Sequence, residues 1–453
     1  MKKFFFLTIA AAAAAGCVFK GAVRSDFRDV ITSAKESVFP SLVYVRVVSD
    51  DAYDGKIEKV QSSGSGVIVT EDGELLTNHH VIDKASRIRC QLADGRMYDA
   101  KVVGKDKDLD VALLKLEAAA GEMFKAAKLS TRRLSVGEVV LAMGAPWGLA
   151  RSVSMGIVSC NDRYLEGCGD YTLWYQTDAA ISPGNSGGPL VDTRGEVVGL
   201  NARGNMMGAQ AFAIPAHIIL EVLPNLRKFG NAHWAWFGID WQPLKDFERD
   251  TFFDAEDGIV VAGVDAQGPA KKAGFEANDR VIAVNSNRVT AVFREDIPAL
   301  NRTLALSDWD KETVFTVVRG SVTNDVPLRP QAKGGVEGKE MAFKRWGFVA
   351  KEINRFDTPD LAFFAPTGGV FVATVTWDGN ADNAGLKNRD IIKRIGTKKI
   401  GSLDALKAEY DAAMTNLAIK TQVGIDIVRK GHEMHFVLNY RDDPDGDETD
   451  GAK

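Results

Sequence analysis

Residues 177–190 read Thr-Asp-Ala-Ala-Ile-Ser-Pro-Gly-Asn-Ser-Gly-Gly-Pro-Leu and place Ser186 inside a glycine-rich turn. A serine hydroxyl is a weak nucleophile that needs a neighbouring base, and flanking glycines let backbone N–H groups approach a reacting carbonyl oxygen. In an α/β-hydrolase the same Gly-x-Ser-x-Gly string begins a helix. Here Pro189 and a strand-like run follow, which excludes that arrangement. The stretch therefore predicts a serine nucleophile in a β protein, with a purely structural turn as the alternative.

A base for this serine has to come from one of six histidines, which are His79, His80, His217, His233, His432 and His435. His80 follows a strand-like segment, and Asp110 opens the apolar run at 111–114. A carboxylate at the edge of a core needs a partner, and a histidine ring N–H would satisfy it while fixing the tautomer. The order His80, Asp110, Ser186 is that of the chymotrypsin arrangement.

Other polar residues near these motifs are predicted to be structural. Asp106 and Asp108 lie in a charged turn and are expected to be solvated. His217 is expected on a helix. His432 and His435 form a His-x-x-His string with no further ligand cluster beside it, so the sequence predicts no metal site and no cofactor.

Composition limits the classes of function. The chain has 453 residues, 56 Lys and Arg against 61 Asp and Glu, and a formal net charge of −5. This balance argues against non-specific nucleic-acid binding. The length suggests about three domains, and four cysteines are too few for a disulfide-built scaffold.

The amino terminus has the pattern of an export signal. A short basic start precedes an apolar run that ends before Lys20 and is too short to span a membrane. Residues 1–17 are predicted to be a signal peptide. Cys17 stands in an Ala-Ala-Gly-Cys string similar to a lipobox, so it would carry a lipid anchor; ordinary cleavage to a soluble periplasmic protein is the alternative. Cys160 and Cys168 bracket a short polar loop and are expected to pair after export, with free thiols left open.

Short β-rich runs separated by turn signals continue from about residue 41 to 200, which predicts antiparallel barrel or sandwich architecture. The remainder contains a weak repeat of roughly 100 residues. Its two copies share the strings Gly-Pro-Ala-Lys-Lys-Ala-Gly at 268–274 and Gly-Asn-Ala-Asp-Asn-Ala-Gly at 379–385. Residues 331–345 are predicted to link the copies, and residues 441–453 to form an acidic disordered tail.

Three motifs together resemble the signatures of the HtrA/Deg family of serine proteases, and the two C-terminal copies resemble PDZ domains. The motifs are Thr-Asn-His-His-Val at 77–81, Asp-Val-Ala-Leu-Leu at 110–114 and Gly-Asn-Ser-Gly-Gly at 184–188. The resemblance implies a mainly β chain with a chymotrypsin-like double β-barrel protease domain followed by two PDZ domains. The implied boundaries are 26–228 for the protease domain, 235–330 for the first PDZ domain and 345–440 for the second.

The resemblance also implies roles in catalysis. His80 would be the general base, Asp110 its orienting partner and Ser186 the nucleophile. Backbone N–H groups of Gly184 and Ser186, with Asn185 alongside, would form the oxyanion hole.

The resemblance further implies a substrate pocket and a regulatory loop. The pocket would include Ala180, Ile181, Ala202 and Arg203. Ala180 stands where trypsin-type enzymes carry an aspartate, so cleavage after Lys or Arg is not expected. Arg163 lies in register with the arginine of the loop that senses PDZ occupancy.

PDZ domains bind a C-terminal peptide as an added strand and hold its carboxylate on backbone N–H groups. The resemblance assigns this role to Phe237, Gly238 and Ile239 in the first copy. In the second copy it assigns the role to Gly347, Phe348 and Val349.

The implied function is an exported serine endopeptidase that degrades unfolded or damaged envelope proteins. Its partners would be unfolded proteins and peptides, C-terminal peptides on the PDZ domains and further copies of itself in a homotrimer or larger assembly. The alternative is a peptide-binding chaperone or scaffold whose active site stays mostly unassembled.

Overall fold

The computed structural model describes residues 26–146, 151–205 and 210–442. The predicted signal peptide with Cys17, and the acidic tail from residue 443 onward, lie outside the described residues. The chain begins with helix α1 (Phe27–Val38), whose N-terminus is capped by the Asp26 side chain. Within these ranges, no helix is both long and apolar enough to cross a membrane.

The first twelve strands form two closed six-stranded barrels. Strands of the first barrel are β1 (Leu42–Tyr53), β2 (Lys56–Ile68), β3 (Glu74–Thr77), β4 (Ala85–Gln91), β5 (Met97–Asp106) and β6 (Val111–Leu116). Strands of the second barrel are β7 (Val139–Gly144), β8 (Ser152–Arg163), β9 (Trp174–Thr177), β10 (Pro189–Asp192), β11 (Val197–Asn205) and β12 (Gln210–Pro215). Alternate side chains point into each barrel, so that Val43, Val45 and Val47 are fully buried.

A larger apolar cluster lies between the barrels and under helix α2 (Ala216–Phe229). This helix buries Ile219, Val222 and Leu226 against that cluster. It ends at Gly230, whose φ of 76° is the left-handed conformation that glycine adopts without strain. The catalytic motifs therefore sit on two barrels held together by one core.

Two β domains with the same strand pattern follow. The first contains β13 (Ala235–Trp236), β14 (Ile239–Gln242), β15 (Lys245–Asp246), β16 (Thr251–Phe252), β17 (Ile259–Val264), α3 (Pro269–Lys272), β18 (Arg280–Val284), β19 (Asn287–Arg288), α4 (Ile297–Ala305), β20 (Thr313–Arg319), β21 (Val322–Leu328) and β22 (Gln331–Ala332). The second contains β23 (Glu340–Phe343), β24 (Phe348–Glu352), α5 (Pro359–Phe364), β25 (Val370–Val375), α6 (Asn380–Asn383), β26 (Ile391–Ile395), β27 (Lys398–Lys399), α7 (Leu403–Thr415), β28 (Gln422–Arg429) and β29 (His432–Asn439). Their main sheets run β14-β17-β18-β20-β21 and β23-β24-β25-β26-β28-β29.

The predicted linker between these domains lies against the first barrel. Lys333 Nζ is 2.7 Å from Asp108 Oδ2, and Lys107 Nζ is 2.6 Å from Glu337 Oε1. Lys107 and Asp108 belong to the turn that immediately precedes Asp110. The segment that was expected to be a mere connector is therefore part of the surroundings of the catalytic motif.

The β1–β2 hairpin reaches the second of the two C-terminal domains. Its turn residues Asp54 and Gly55 both have positive φ, 45° and 70°, as a tight hairpin turn requires. The Gly55 N–H donates to Thr374 Oγ1 at 3.1 Å, and the Trp377 N–H donates to Asp54 Oδ1 at 2.7 Å. The Thr376 hydroxyl donates to the Asp54 carbonyl at 3.0 Å. These hydrogen bonds hold the second C-terminal domain against the first barrel.

Candidate active site

Pairing of β3 with β6 brings His80 to Asp110. Thr77 at the end of β3 lies opposite Ala112 in β6, so the residues just beyond each strand meet at one edge. His80 Nδ1 is 2.7 Å from Asp110 Oδ2, and the His80 backbone N–H donates to Asp110 Oδ1 at 2.9 Å. A carboxylate accepts hydrogen bonds, so Nδ1 carries the proton and Nε2 is left as the basic nitrogen.

Asp110 is also fixed by hydrogen bonds to its backbone carbonyl. It is only 6% exposed and has a left-handed φ of 57°, a conformation that aspartate tolerates better than most residues. Its carbonyl accepts the Asn78 side-chain amide at 3.0 Å and the His79 N–H at 3.2 Å. These bonds fix the carboxylate under the imidazole.

Ser186 lies in the loop between β9 and β10. Its Oγ donates to the carbonyl of Ala202 at 3.2 Å. Within the described part of the chain, no hydrogen bond joins Ser186 Oγ to His80. The structure therefore assembles the His80–Asp110 pair and leaves the third contact to a rotation of the serine side chain, as is common in enzymes without bound substrate.

The loop around Ser186 is anchored to the first barrel through Ser65. The Ser65 hydroxyl donates to the Gly184 carbonyl at 2.6 Å, and its N–H donates to the Ser186 carbonyl at 2.8 Å. Among the described residues, no acceptor takes the N–H groups of Gly184 or Ser186. Two backbone donors beside the serine are therefore free to meet an oxyanion.

The backbone N–H and the side chain of Asn185 both have hydrogen-bond partners. Its N–H donates to the Ser182 carbonyl at 2.9 Å, and its Oδ1 accepts from the Ser152 hydroxyl at 3.1 Å. Its side chain is buried. The Asn185 N–H therefore closes the turn, and a position of Asn185 alongside the oxyanion hole stays a prediction.

The expected pocket residues lie on both sides of Ser186. Ala180 is exposed and its carbonyl accepts from Ser154 Oγ at 2.5 Å. Ile181 is half-buried and packs on the core of the second barrel. Ala202 is buried and supplies the carbonyl that Ser186 contacts. The side chains of Ala180, Ile181 and Ala202 are all apolar, and those of the two alanines are small.

Arg203 lines a cavity beside Asp110. Its guanidinium lies 6.0 Å from the centre of the Trp174 ring. Both side chains line a cavity of about 160 Å³ beside Asp110, which Val336 and Phe356 close from the linker and the C-terminal domain. The substrate side of the site is thus bounded partly by residues outside the protease barrels.

Arg163 ends β8, where its Nε donates to Gln176 Oε1 at 2.8 Å. It is exposed. The contacts to the first PDZ-type domain come instead from the loop that follows. Asn301 on α4 donates to the Asp170 carbonyl at 2.9 Å, and Arg302 donates to the Tyr171 carbonyl at 2.9 Å. No sequence signal marked these four residues.

The expected Cys160–Cys168 disulfide is absent, and both thiols are free. Cys160 is in the β8–β9 ladder opposite Gln176. The Cys168 carbonyl accepts from the Trp174 indole N–H at 3.1 Å, and Trp174 lies opposite Arg163, three residues further along β8. Cys160 is thus fixed in the strand pairing while Cys168 lies in the loop beyond β8, and a disulfide would need closely adjacent Cα atoms.

The first expected peptide site is open. Strand β14 is at the end of its sheet, and no strand pairs with its outer edge within the described ranges. The N–H groups of Phe237 and Gly238 donate to no acceptor among the described residues. Ile239 and Trp241 on β14 pack in the same hydrophobic core as residues of α4, so this open strand edge lies near that helix.

The second expected peptide site is already filled by the chain itself. Strand β23 pairs antiparallel with β24 along the edge that a peptide would occupy, with Phe343 opposite Phe348. The Gly347 N–H donates to the Phe343 carbonyl at 2.9 Å. The Phe343 ring packs on Tyr410 of α7 with centroids 5.3 Å apart. The expectation that Gly347, Phe348 and Val349 hold a peptide carboxylate is therefore wrong. Strand β23 occupies the edge of β24, and the Phe343 carbonyl accepts the Gly347 N–H.

Asp106 and Asp108 are not solvated as expected. Asp106 is 6% exposed and accepts the Leu109 N–H at 2.8 Å. Burial, helped by the nearby Asp108 charge, raises the pKa of Asp106 to about 7. Burial opposes the charge of Lys333, yet Tyr171 and Asp108 outweigh it and the pKa of Lys333 is raised. Of the charged residues just before Asp110, Asp106 is thus buried and Asp108 half-buried, while Lys107 is exposed.

This burial gives Asp106 a measurable effect on stability. In the unfolded chain the carboxyl ionises near its ordinary pKa of 3.8, and in the folded chain near 7. The folded state therefore holds the extra proton between these values, and its contribution to stability falls as pH rises through that window. Asp106→Asn keeps an acceptor for Leu109 and cannot ionise. We expect the variant to gain roughly 1–3 kcal/mol on wild type between about pH 4.5 and 7.5, measured by urea unfolding. Parallel pH profiles for the two proteins would contradict the assignment.

Two known domain families match the chain. The trypsin-like peptidase domain matches residues 64–200, and the PDZ domain matches residues 237–329. Both matches fall on the parts that the structure folds as barrels and as the first C-terminal β domain.

Relatives extend the match to most of the chain. The probable periplasmic serine endoprotease DegP-like of Pseudomonas putida is 34% identical over 388 residues, which cover 82% of this chain and 78% of the relative. The protein of the same name from Hahella chejuensis is 33% identical over 393 residues, covering 84% and 81%.

Solved structures of serine endoproteases are also similar to this chain. The HtrA-type protease AlgW with a tripeptide has a TM-score of 0.58 and 30% identity, over 69% of this chain and all of that one (100%). The serine endoprotease from Yersinia pestis has a TM-score of 0.52 and 28% identity, over 68% and 99%. The expected fold class and enzyme class are confirmed, and the chain belongs to the HtrA/Deg family of serine endoproteases.

Proposed function

We propose that this protein is an exported endopeptidase that cuts unfolded or damaged envelope proteins through a Ser186 acyl-enzyme. The observation that carries the proposal is the 2.7 Å contact between His80 Nδ1 and Asp110 Oδ2, together with the N–H groups of Gly184 and Ser186, which have no acceptor among the described residues. A base with a fixed tautomer and two oxyanion donors are the components that peptide hydrolysis by a serine requires.

The chemical steps follow from this geometry. The Ser186 hydroxyl turns from the Ala202 carbonyl to His80 Nε2, which takes its proton as Oγ bonds to the substrate carbonyl carbon. Asp110 stabilises the imidazolium while the N–H groups of Gly184 and Ser186 hold the oxyanion. The imidazolium then gives its proton to the leaving amine as the C–N bond breaks. Water, deprotonated by His80, hydrolyses the ester and restores Ser186.

Peptide capture and catalysis are proposed to be coupled through the first PDZ domain. A C-terminal peptide would add to the open edge of β14 and contact α4. Helix α4 carries Asn301 and Arg302, which bond the backbone of Asp170 and Tyr171 in the loop after Arg163. A shift of α4 on binding would move that loop. Only strand β9 lies between the loop and the segment that carries Ser186.

The scaffold alternative has one observation in its favour. Ser186 Oγ bonds to Ala202 rather than to His80, so the resting site is one rotation short of a complete triad. The free oxyanion donors favour the enzyme, because a site built only to bind peptides gains nothing from them.

Digestion of unfolded casein by the chain without residues 1–17 tests the proposal. Wild type should produce fragments, and Ser186→Ala should produce none. Fragment ends should lie after small aliphatic residues and not after Lys or Arg, because Ala180 offers no carboxylate to a buried cation. If neither protein cuts, even with C-terminal peptides added, the scaffold alternative is correct.

Location and assembly remain parts of the same proposal. The curated relatives are named periplasmic, which supports export of this chain, with Cys17 as the residue that would carry a lipid anchor. We propose a homotrimer or larger assembly. Mass measurement by light scattering tests the assembly, and a lipid adduct on Cys17 in the membrane fraction tests the anchor.

The two PDZ domains should differ in peptide binding, and matched glycines test this. Gly238 and Gly347 both have positive φ, 72° and 77°, at the start of the strands compared above. Gly238→Val should weaken binding of a labelled apolar C-terminal peptide at least tenfold, because the side chain distorts the open loop. Gly347→Val carries similar backbone strain but should leave the affinity within about twofold. Fluorescence anisotropy measures both, and an equal loss in the two variants would contradict the assignment.

A further inference from the structure

A second group of chemically active side chains lies directly beside the catalytic histidine. The ligand atoms of His79, Asp83 and Glu337 all lie within 4.8 Å of one another. His79 and Asp83 come from the turn after β3, and Glu337 comes from the linker between the PDZ domains. The proposed catalysis uses none of the three.

Two of these side chains lack a hydrogen-bond partner among the described residues. His79 is only 5% exposed, and within the described part of the chain its ring nitrogens take part in no hydrogen bond. Asp83 Oδ1 is buried and also has no hydrogen-bond partner there. Buried polar atoms of folded proteins are normally paired with protein, water or an ion. The unpaired imidazole of His79 and the unpaired Asp83 Oδ1 point to a missing ligand between them.

The donor set identifies the class of ligand. One imidazole and two carboxylates are the ligand types that Zn²⁺ and similar first-row divalent cations prefer, in a site that keeps a water in the fourth position. Ligands about 2.1 Å from a tetrahedral ion are about 3.4 Å apart, so the observed spacing needs only a small contraction. We propose that His79, Asp83 and Glu337 bind a divalent cation of the zinc class. The inference does not depend on the proposed protease function.

Two lysines oppose this cation and limit which oxygens it uses. Lys107 Nζ is 2.6 Å from Glu337 Oε1, which leaves Oε2 for the metal. Burial, and after it the charge of Lys105, lowers the pKa of His79. The charges of Asp83 and Glu337 balance those of Lys105 and Lys107, so attraction of a cation depends on direct coordination by the three ligands.

A bound cation would join two parts of the molecule. It would tie the linker, through Glu337, to the residue next to His80. A cavity of about 390 Å³ lined by His79, Lys105 and Glu337 provides a route to the site. The site is thus placed to hold the linker closed over the turns that carry His80 and Asp110.

The test titrates Co²⁺ and Zn²⁺ into metal-free protein without residues 1–17 and without an affinity tag. We expect one ion per chain by calorimetry and tetrahedral Co²⁺ absorption bands. Asp83→Asn and Glu337→Gln, which keep side-chain size, should each weaken binding at least tenfold. His435→Gln, which removes an exposed histidine on β29, should not change it.

Two further readouts separate this site from others. His80→Ala should retain the ion, and Zn²⁺ should slow hydrogen exchange over residues 333–340 in wild type but not in Glu337→Gln. Thermal unfolding shows that each variant is folded. The proposal is overturned if no ion binds below about 1 mM, if Glu337→Gln binds as well as wild type, or if His80→Ala or His435→Gln abolishes binding.

Discussion

Asp110→Asn should lower kcat for peptide cleavage by about 10⁴-fold with little change in the fold. An amide in place of the carboxylate donates as well as accepts, so it would favour the tautomer with the proton on His80 Nε2. That nitrogen could no longer take the Ser186 proton. Initial rates on a fluorogenic peptide, with circular dichroism of each variant, measure the effect.

Asp106→Asn is the matched control for this change. It is the same isosteric substitution in a buried carboxylate of the same turn, and it does not touch the imidazole. We expect its kcat to stay within about fivefold of wild type at neutral pH. If both variants lose activity equally, the loss reflects the turn and not the His80 tautomer.

Gly187→Ala should reduce kcat/KM by at least 10²-fold, because displacement of a catalytic group by about 1 Å costs this much. Gly187 follows the nucleophile and has a φ of 82°. A Cβ there would overlap the Ser65 carbonyl oxygen and the Thr77 hydroxyl. The same Ser65 holds the serine loop, so the loop must shift and take Ser186 with it.

Gly95→Ala separates the overlap from backbone strain. Gly95 has a similar φ of 89°, but an added Cβ would meet no atom within 4 Å. This variant should lose some stability and keep its kcat/KM. Equal activity of Gly187→Ala and wild type would show that the loop is not positioned as described.

The architecture and the catalytic motifs could be predicted because they depend on local chemistry. Short alternating apolar runs indicate strands. Asp110 needed a partner because it opens the apolar run of β6, and the β3–β6 pairing supplies His80. Gly184 and Gly187, on either side of Ser186, have the positive φ that a tight loop requires, 99° and 82°.

The parts that could not be predicted depend on how domains meet. Residues 331–345 look like a flexible linker by composition, but Lys333 and Glu337 form ion pairs with the turn before Asp110. Asp106 appeared solvated because its neighbours are charged, whereas the linker covers it. The sequence of β23 does not indicate a strand. The segment is held by backbone pairing with β24 and by the buried side chain of Phe343.

The expected disulfide failed for a related reason. A short separation between Cys160 and Cys168 suggested proximity, but β-ladder register decides distance across a hairpin. Cys160 is paired within the β8–β9 ladder, whereas Cys168 lies in the loop between the two strands. Sequence spacing alone does not report that register.

Labelling with a fluorophosphonate tests the central claim that Ser186 is the activated nucleophile. Mass spectrometry after digestion should find one adduct, on the peptide that contains Ser186, at about pH 8 in the presence of unfolded substrate or C-terminal peptide. His80→Ala should not react. An adduct on another residue, or undiminished casein cleavage by Ser186→Ala, would contradict the account.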